Sequence, residues 1–211
     1  MKNTQTKQLN AAVHVIDDDD AVLDSIGLLL TTIGINNHSY NNVQSFLDTY
    51  CHPDFDKYSG CILMDIRMPV MSGIECQYRL KELGCNLPLI FITGHGDVTT
   101  AVETMKNGAF DFIQKPYREQ SLIDAIQKAL SKNLSEQSRI RQINQTKARL
   151  ATLTSREIQI LKAIVDGKAN KVIAIELSLS QRTVEIHRAH VMEKMAVKSL
   201  PELVRIVLDT L

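Results

Sequence analysis

The segment Gly60-Cys-Ile-Leu-Met-Asp65-Ile-Arg-Met-Pro69 decides the fold class, because it places one carboxylate directly after an uninterrupted apolar run. Such a run predicts a strand that is buried on both faces, as strands of parallel sheets are. Four further strands are predicted between residues 11 and 130. The five predicted strands span residues 13–16, 36–40, 61–64, 89–92 and 110–113.

Helical patterns separate these strands. They cover residues 21–33, 43–50, 73–83, 99–107 and 118–130. Strict alternation of strands and helices indicates an α/β domain, here a doubly wound, five-stranded parallel sheet of the flavodoxin-like type over residues 11–130. Sheets of this kind hold their ligands beyond the carboxyl ends of the strands, so residues that follow the strands are the first candidates for function.

Polar side chains follow four of the five strands. They are the run Asp17 to Asp20, then Asp65, Thr93 and Lys115. Because the carboxyl ends of parallel strands share one edge of the sheet, these groups are expected to converge. Clustered carboxylates repel one another unless a cation is bound, and Mg²⁺ accepts one or two carboxylates together with water and phosphate oxygens.

The chemistry of this pocket suits acceptance of a phosphoryl group. Asp65 is the candidate nucleophile, since carboxylates can form acyl phosphates. The Lys115 ammonium and the Thr93 hydroxyl are expected to contact the phosphoryl oxygens. Each residue alone has an ordinary interpretation, such as a solvated turn, a helix cap or a strand end. Those interpretations do not account for the joint order and spacing.

The C-terminal part is predicted to be an all-α, four-helix domain over residues 150–211. Its helices cover residues 155–165, 171–177, 181–195 and 201–208, and Thr154 with Glu157 forms a capping box at the first. Ser178 and Ser180 bound the short turn of a helix-turn-helix. Residues 131–149 are polar, and this composition predicts a partly helical linker. The alternative is a helix that transmits the state of one domain to the other.

The helix at 181–195 has two distinct faces. Val184, Val191 and Met195 share the face that must be buried, so the opposite face is expected to point outward. Base-edge contacts are expected from Glu185, Ile186 and Ala189, and phosphate contacts from Lys171, Arg182, Arg188 and Lys194. The periodicity alone fits an ordinary helical bundle with surface charges equally well.

Both parts resemble bacterial two-component response regulators of the FixJ type. The receiver motifs are Asp17-Asp18, Asp65-Ile-Arg-Met-Pro69, Thr93 and Lys115-Pro116. Four stretches match the LuxR-type helix-turn-helix: Leu153-Thr-Ser-Arg-Glu157, Arg182-Thr-Val184, His187-Arg188 and Glu193-Lys-Met195. Two positions depart from the pattern: Ser178 stands where Gly or Asp is common, and Glu185 stands where other subgroups carry a cation, which puts the DNA sequence in doubt.

The resemblance implies that Asp65 accepts a phosphoryl group from a sensor histidine kinase. It implies that Mg²⁺ is held by Asp18 directly, by Asp17 through water, by Asp65 and by the backbone carbonyl of Arg67. It further implies a cis Lys115–Pro116 bond and a switch formed by Thr93 and Phe112. The implied output is a homodimer formed through residues 99–115, which binds double-stranded DNA and activates transcription with RNA polymerase as a partner.

Composition agrees with a cytoplasmic regulator. Residues 1–130 carry a net charge of −6, residues 131–150 one of +4, and residues 151–211 one of +2, which suits a regulatory domain joined to a nucleic-acid binder. No apolar run is long enough to cross a membrane and no signal peptide is expected. The cysteines Cys51, Cys61, Cys76 and Cys85 follow no metal-ligand spacing and are expected to be reduced.

Other functions fit less well. A phosphatase with an aspartate nucleophile needs an acid two residues later, where this chain has Arg67; no enzyme activity beyond the protein's own phosphoryl transfer and dephosphorylation is therefore expected. A Ca²⁺-binding loop lacks its alternating ligands and central glycine. His187 and His190 have a spacing that can bind metal, without an evident third ligand. DNA binding independent of phosphorylation remains an open alternative.

Overall fold

The computed structural model describes residues 11–50, 59–94 and 98–210. The chain forms two compact units, which divide between Gln137 and Ser138. The first is an α/β unit and the second is entirely helical, as the sequence predicts. Cys61, Cys76 and Cys85 are free thiols, whereas Cys51 lies outside the described residues. No helix in the described ranges is both long and apolar enough to span a bilayer.

Five parallel strands form the sheet of the first unit in the order β2-β1-β3-β4-β5. They are β1 (Ala11–Ile16), β2 (Asn36–Tyr40), β3 (Ser59–Asp65), β4 (Leu89–Thr93) and β5 (Asp111–Gln114). All five predicted strands are confirmed, and their ends differ from the prediction by at most two residues. The strand order reverses between β1 and β3, so the carboxyl ends of these two strands flank the switch point at which ligands of such sheets bind.

Helices cover both faces of the sheet. They are α1 (Asp20–Thr32), α2 (Val43–Tyr50), α3 (Gly73–Glu82), α4 (Val98–Lys106) and α5 (Glu119–Leu150). Successive residues of β3 point to opposite faces: Cys61 and Leu63 pack with α1 and α5, while Ile62 and Met64 pack with α2 and α3. All four side chains are inaccessible to solvent, which explains why this strand reads as a continuous apolar run.

Helix α5 differs from the prediction, because its 32 residues continue through the whole predicted linker. Asn133 accounts for part of the difference. Its side chain is buried, and its Oδ1 accepts hydrogen bonds from the Gly60 amide at 3.0 Å and from the Ser59 hydroxyl at 3.2 Å. These bonds fix the helix against the beginning of β3 beyond residue 130. The partly helical interpretation of residues 131–149 is therefore replaced by a continuous helix.

The second unit contains α6 (Ser155–Val165), α7 (Asn170–Glu176), α8 (Gln181–Lys194) and α9 (Leu200–Leu208). The capping box of Thr154 and Glu157 is present at the start of α6. Val184, Val191 and Met195 are fully buried in the core. Between α7 and α8 the chain turns at Ser178, whose φ of 54° lies in the left-handed region that Ser tolerates less well than Gly.

Candidate functional site

The carboxyl ends of the strands bring the predicted acidic pocket together. Asp17 follows β1, Asp65 ends β3 and Thr93 ends β4; all three are buried, with 3%, 7% and 1% of their surfaces exposed. Lys115 follows β5, and its amide donates to the Thr93 carbonyl at 2.8 Å. Four positions that are distant in sequence therefore lie at one edge of the sheet.

Lys115 joins the two buried carboxylates. Its Nζ lies 2.6 Å from Asp17 Oδ2 and 3.3 Å from Asp65 Oδ1. The peptide bond between Lys115 and Pro116 is cis, as the family resemblance implies. Burial lowers the pKa of Lys115, but its hydrogen bonds to Asp17 and Asp65 and their charges outweigh this, so the pKa is raised overall. The ammonium therefore remains charged at neutral pH, ready to meet phosphoryl oxygens.

Asp65 is held in a defined orientation. Its Oδ2 accepts a hydrogen bond of 2.6 Å from the Arg67 amide, while Oδ1 faces Lys115. Burial raises the pKa of Asp65 and the charge of Asp17 adds to this, against the opposing effects of the Arg67 amide and the Lys115 ammonium. A carboxylate that is partly desolvated, oriented and next to a fixed cation has the surroundings that a phosphoacceptor needs.

The carboxylates are not assembled into a three-ligand metal site. Within the described ranges, no three His, Cys, Asp or Glu side chains are grouped so that they could hold a metal ion. Asp18 is exposed, and Lys115 contacts both Asp17 and Asp65. Two buried carboxylates that share a single ammonium still fit a hard cation, because Mg²⁺ completes its shell with water and phosphate oxygens. The Arg67 carbonyl remains a predicted ligand.

The predicted switch residues occupy adjacent strands. Thr93 pairs in register with Gln114, and Phe112 lies two residues earlier in β5, opposite Phe91. Phe112 is half-buried and packs against the core on the α2 and α3 face. Phe112 thus belongs to the strand next to the one that ends at Thr93. A coupled movement of the two side chains remains a prediction.

Helix α8 presents the predicted outward face. Arg182, Glu185, Ile186 and Ala189 are exposed, and Arg188 is half-buried. Lys171, on α7, is exposed as well. Ser180 caps α8, since its Oγ accepts a hydrogen bond of 3.0 Å from the Thr183 amide. The placement of these residues on an open helical surface is confirmed, whereas their contacts with DNA stay predictions.

Lys194, predicted to contact DNA phosphate, pairs with a carboxylate in this structure, and its contact with DNA stays a prediction. Its Nζ lies 2.7 Å from Glu157 Oε2 and 3.3 Å from the Thr152 carbonyl. Only 3% of Glu157 is exposed, and the hydrogen bond from Lys194, with a further one from the Thr154 amide, lowers the pKa of Glu157 to about 2. Leaving this buried carboxylate without its cation would be costly, so the pair is expected to stabilise the domain.

A second interaction at the end of α8 also escaped the sequence analysis. Arg149 Nη1, in the last turn of α5, donates to the Met195 carbonyl at 3.0 Å. Together with Lys194, this bond fixes the carboxyl end of α8, where backbone carbonyls lack helical partners.

The rings of His187 and His190 lie 6.5 Å apart between centroids and belong to no metal-binding group among the described residues.

Comparison with known proteins identifies two families in this chain. Residues 13–127 match the response regulator receiver domain, and residues 151–207 match the luxR family of bacterial regulatory proteins. The Transcriptional regulatory protein FixJ of Rhizobium meliloti (strain 1021) is 45% identical over 196 residues, which cover 93% of this chain and 94% of the relative. The Response regulator protein TmoT of Ectopseudomonas mendocina is 40% identical over 197 residues, 93% of this chain and 87% of the relative.

Solved structures give the same result. The response regulator StyR superposes with a TM-score of 0.82 at 37% identity, covering 94% of this chain and 98% of that one. Full-length FixJ from B. japonicum superposes with a TM-score of 0.59 at 38% identity, covering 95% of this chain and 97% of that one. The similarity thus extends over both units.

Proposed function

The chain belongs to the response regulator family and is a phosphorylation-driven, DNA-binding regulator with a receiver domain and a LuxR-type helix-turn-helix; on this premise, we propose that Asp65 is the phosphoacceptor. The observation that supports this most directly is the position of Lys115 Nζ, 3.3 Å from Asp65 Oδ1 and 2.6 Å from Asp17 Oδ2. A family with a receiver domain implies a sensor kinase as partner, and receivers typically bind Mg²⁺ at their acidic pocket.

The proposed donor is a phosphohistidine of a sensor histidine kinase. Asp65 Oδ1 attacks the phosphorus, the P–N bond to the histidine breaks, and the imidazole nitrogen leaves with the electron pair. Lys115 neutralises charge on the phosphoryl oxygens, and the Thr93 hydroxyl donates to one of them. Asp17, Asp18, Asp65 and the Arg67 carbonyl would hold Mg²⁺, which would supply positive charge that stabilises the phosphoryl group.

A receiver dimer is the proposed output of phosphorylation. Helix α4 carries an exposed apolar stripe, in which Val98, Val102 and Met105 are 81%, 45% and 44% exposed. Only Thr104 of this helix is buried. Val102 and Met105 lie within residues 99–115, the segment predicted to form the dimer. Val98 lies one residue before it. Apolar exposure of this kind favours association with a second copy.

Dimerisation would increase the affinity of the protein for DNA. Two joined chains present two α8 helices to two half-sites, so the second contact becomes intramolecular. Glu185, Ile186 and Ala189 are proposed to contact base edges, and Lys171, Arg182, Arg188 and Lys194 to contact phosphates. We further propose that the protein activates transcription through RNA polymerase and acts in the cytoplasm. It catalyses only its own phosphoryl transfer and dephosphorylation.

One experiment tests the chain of events. The full-length protein is incubated with Mg²⁺ and beryllofluoride, which mimics a phosphoryl group, and its molar mass and DNA affinity are measured before and after. We expect a monomer that becomes a dimer and binds selected DNA more tightly, while Asp65→Ala shows neither change. Equal DNA affinity in both states would instead support DNA binding that is independent of phosphorylation.

A further inference from the structure

Helix α4 carries the stripe that is proposed to form the dimer, yet apolar packing contributes little to its position on the receiver. Among its nine residues, all of them described, only Thr104 is buried. None of its side chains belongs to the apolar core on either face of the sheet. Val98, Val102 and Met105 are exposed instead. The position of α4 therefore depends mainly on contacts of another kind.

Two consecutive residues of α3 supply such contacts. Gln77 Nε2 donates a hydrogen bond of 3.1 Å to the Thr104 carbonyl, and the Tyr78 hydroxyl accepts one of 2.7 Å from the Asn107 side chain. Thr104 lies in the last turn of α4, and Asn107 directly follows the helix. Both bonds therefore attach the carboxyl end of α4 to α3.

The bond from Gln77 is shielded from solvent. Gln77 is 5% exposed and Thr104 is 0% exposed, whereas Tyr78 is 46% exposed. Water competes for hydrogen bonds at an exposed position, and a hydrogen bond in the interior is electrostatically stronger. The bond between Gln77 and Thr104 is therefore the stronger of the two constraints on α4.

Gln77 makes this bond while its own oxygen has no partner. Oε1 is buried and unpaired among the residues that the structure describes, and desolvating an acceptor without a donor destabilises a fold. The Thr104 carbonyl does not depend on Gln77, because it also accepts from the Ala109 amide at 3.0 Å. An apolar side chain of similar size would thus suit the core at least as well. The amide is explained by the helix that it attaches.

The space beside this bond leaves room for movement of α4. A cavity of about 360 Å³ is lined by residues from the carboxyl ends of both helices, including Leu80, Lys81 and Lys106. Side chains do not fill this space, so packing alone does not prevent the end of α4 from shifting relative to α3.

We propose that Gln77 is a positioning residue, which fixes the carboxyl end of α4 and thereby the geometry of the exposed stripe. The inference rests on the proposed role of α4 in the dimer. A stripe that is held in place before association loses less conformational entropy when the second copy binds. Gln77 thus acts on dimer affinity through Thr104, from a buried position outside both the stripe and the acidic pocket.

Gln77→Met separates this role from ordinary stabilisation of the core. Methionine has a similar length and adapts to its surroundings, so the substitution removes the bond to Thr104 and the unpaired oxygen together. We expect the free energy of unfolding, measured in urea, to equal or exceed that of wild type. Hydrogen exchange of the α4 amides in the full-length protein without beryllofluoride should nevertheless become about tenfold faster, while exchange in α1 stays unchanged.

Sedimentation with Mg²⁺ and beryllofluoride measures the consequence for association. We expect the dimer of Gln77→Met to be at least about tenfold weaker than that of wild type. Tyr78→Phe removes only the exposed bond and should change both readouts less. Gln120→Met is the matched control, because it makes the same substitution at an exposed α5 residue whose amide bonds Asp124; it should change neither.

Wild-type rates of α4 exchange in Gln77→Met would overturn the proposal, as would faster exchange without a loss of dimer affinity. Faster exchange in all helices, together with a lower free energy of unfolding, would also overturn it, because Gln77 would then be an ordinary core residue. A wild-type protein that stays monomeric with beryllofluoride would instead contradict the proposed dimer. The exchange comparison would still decide whether Gln77 fixes α4.

Discussion

Lys115 donates a hydrogen bond of 2.6 Å to Asp17, a residue 98 positions earlier in the chain. The same ammonium lies 3.3 Å from Asp65. One cation thus compensates two buried carboxylates, and the pocket has a net negative charge that a divalent ion can neutralise. We therefore expect the contacts of Lys115 to change when Mg²⁺ and a phosphoryl group occupy the pocket.

Replacing Lys115 tests this balance of charge. In Lys115→Ala, the repulsion between Asp17 and Asp65 is no longer compensated, so we expect a loss of about 1–3 kcal/mol in the free energy of unfolding without Mg²⁺. Mg²⁺ should restore part of the loss, since an ion that binds only the folded state stabilises it. Urea unfolding with and without Mg²⁺ measures both effects, with Lys128→Ala as the control. Equal stability of Lys115→Ala and wild type without Mg²⁺ would contradict this account of the pocket.

The Glu157–Lys194 pair predicts a pH dependence of the second unit. The pKa of Glu157 is about 2 in the folded protein, below its ordinary value of 4.5. A lowered pKa means that the stabilisation is fully present above about pH 4.5 and is lost as the pH falls towards 2. Glu157→Gln should remove this component and cost about 1–3 kcal/mol at neutral pH.

Thermal unfolding of the second unit between pH 7 and 3, followed by a probe in that unit, measures this effect. Glu185→Gln, an exposed carboxylate on α8, is the matched control and should keep the wild-type pH profile. If Glu157→Gln also keeps the wild-type pH profile, the ion pair between Glu157 and Lys194 does not stabilise the domain.

The exposed stripe of α4 predicts the dimer surface. Val102 is 45% exposed at its centre, and Val102→Glu would bury an unpaired charge in the dimer. We expect the affinity of the beryllofluoride-bound dimer to fall by at least about tenfold, equivalent to about 1.4 kcal/mol. Sedimentation measures it, with Leu28→Glu, at a 71% exposed position of α1, as the control. Unchanged dimerisation of Val102→Glu would exclude α4 from the interface.

The outward face of α8 predicts two kinds of DNA defect. Glu185→Ala should change the sequences that are selected from a random pool, because a side chain at a base edge carries specificity. Arg188→Ala should weaken binding to all sequences alike and reduce the salt dependence by about one phosphate contact. Identical selected sequences for Glu185→Ala and wild type would show that Glu185 contacts no base.

Much of the fold could be predicted because the central strands β1, β3 and β4 are mainly apolar. The run from Cys61 to Met64 supplies side chains to both faces of the sheet, and no helix at the surface has that pattern. The acidic pocket followed from topology, since the ends of parallel strands converge whatever their separation in sequence. Val184 and Val191 likewise identified the buried face of α8 through helical spacing.

The remaining features depend on contacts between distant residues. Asn133 looks like any polar linker residue until its bonds to Gly60 and Ser59 are seen. The ion pair of Lys194 is not evident from the sequence, because its partner Glu157 lies 37 residues earlier. Such pairs carry no periodic signal, so the continuous helix α5 and the ion pair could not be derived from the sequence.

The central claim is tested most directly by the site of phosphorylation. The full-length protein is incubated with Mg²⁺ and a small phosphodonor such as acetyl phosphate, and intact mass and peptide maps are recorded. We predict one added phosphoryl group on the peptide that contains Asp65, present in Asp24→Asn, an exposed acidic control on α1, and absent from Asp65→Ala. An equal mass gain in Asp65→Ala, or no gain in the wild-type protein, would contradict the assignment of Asp65 as the phosphoacceptor.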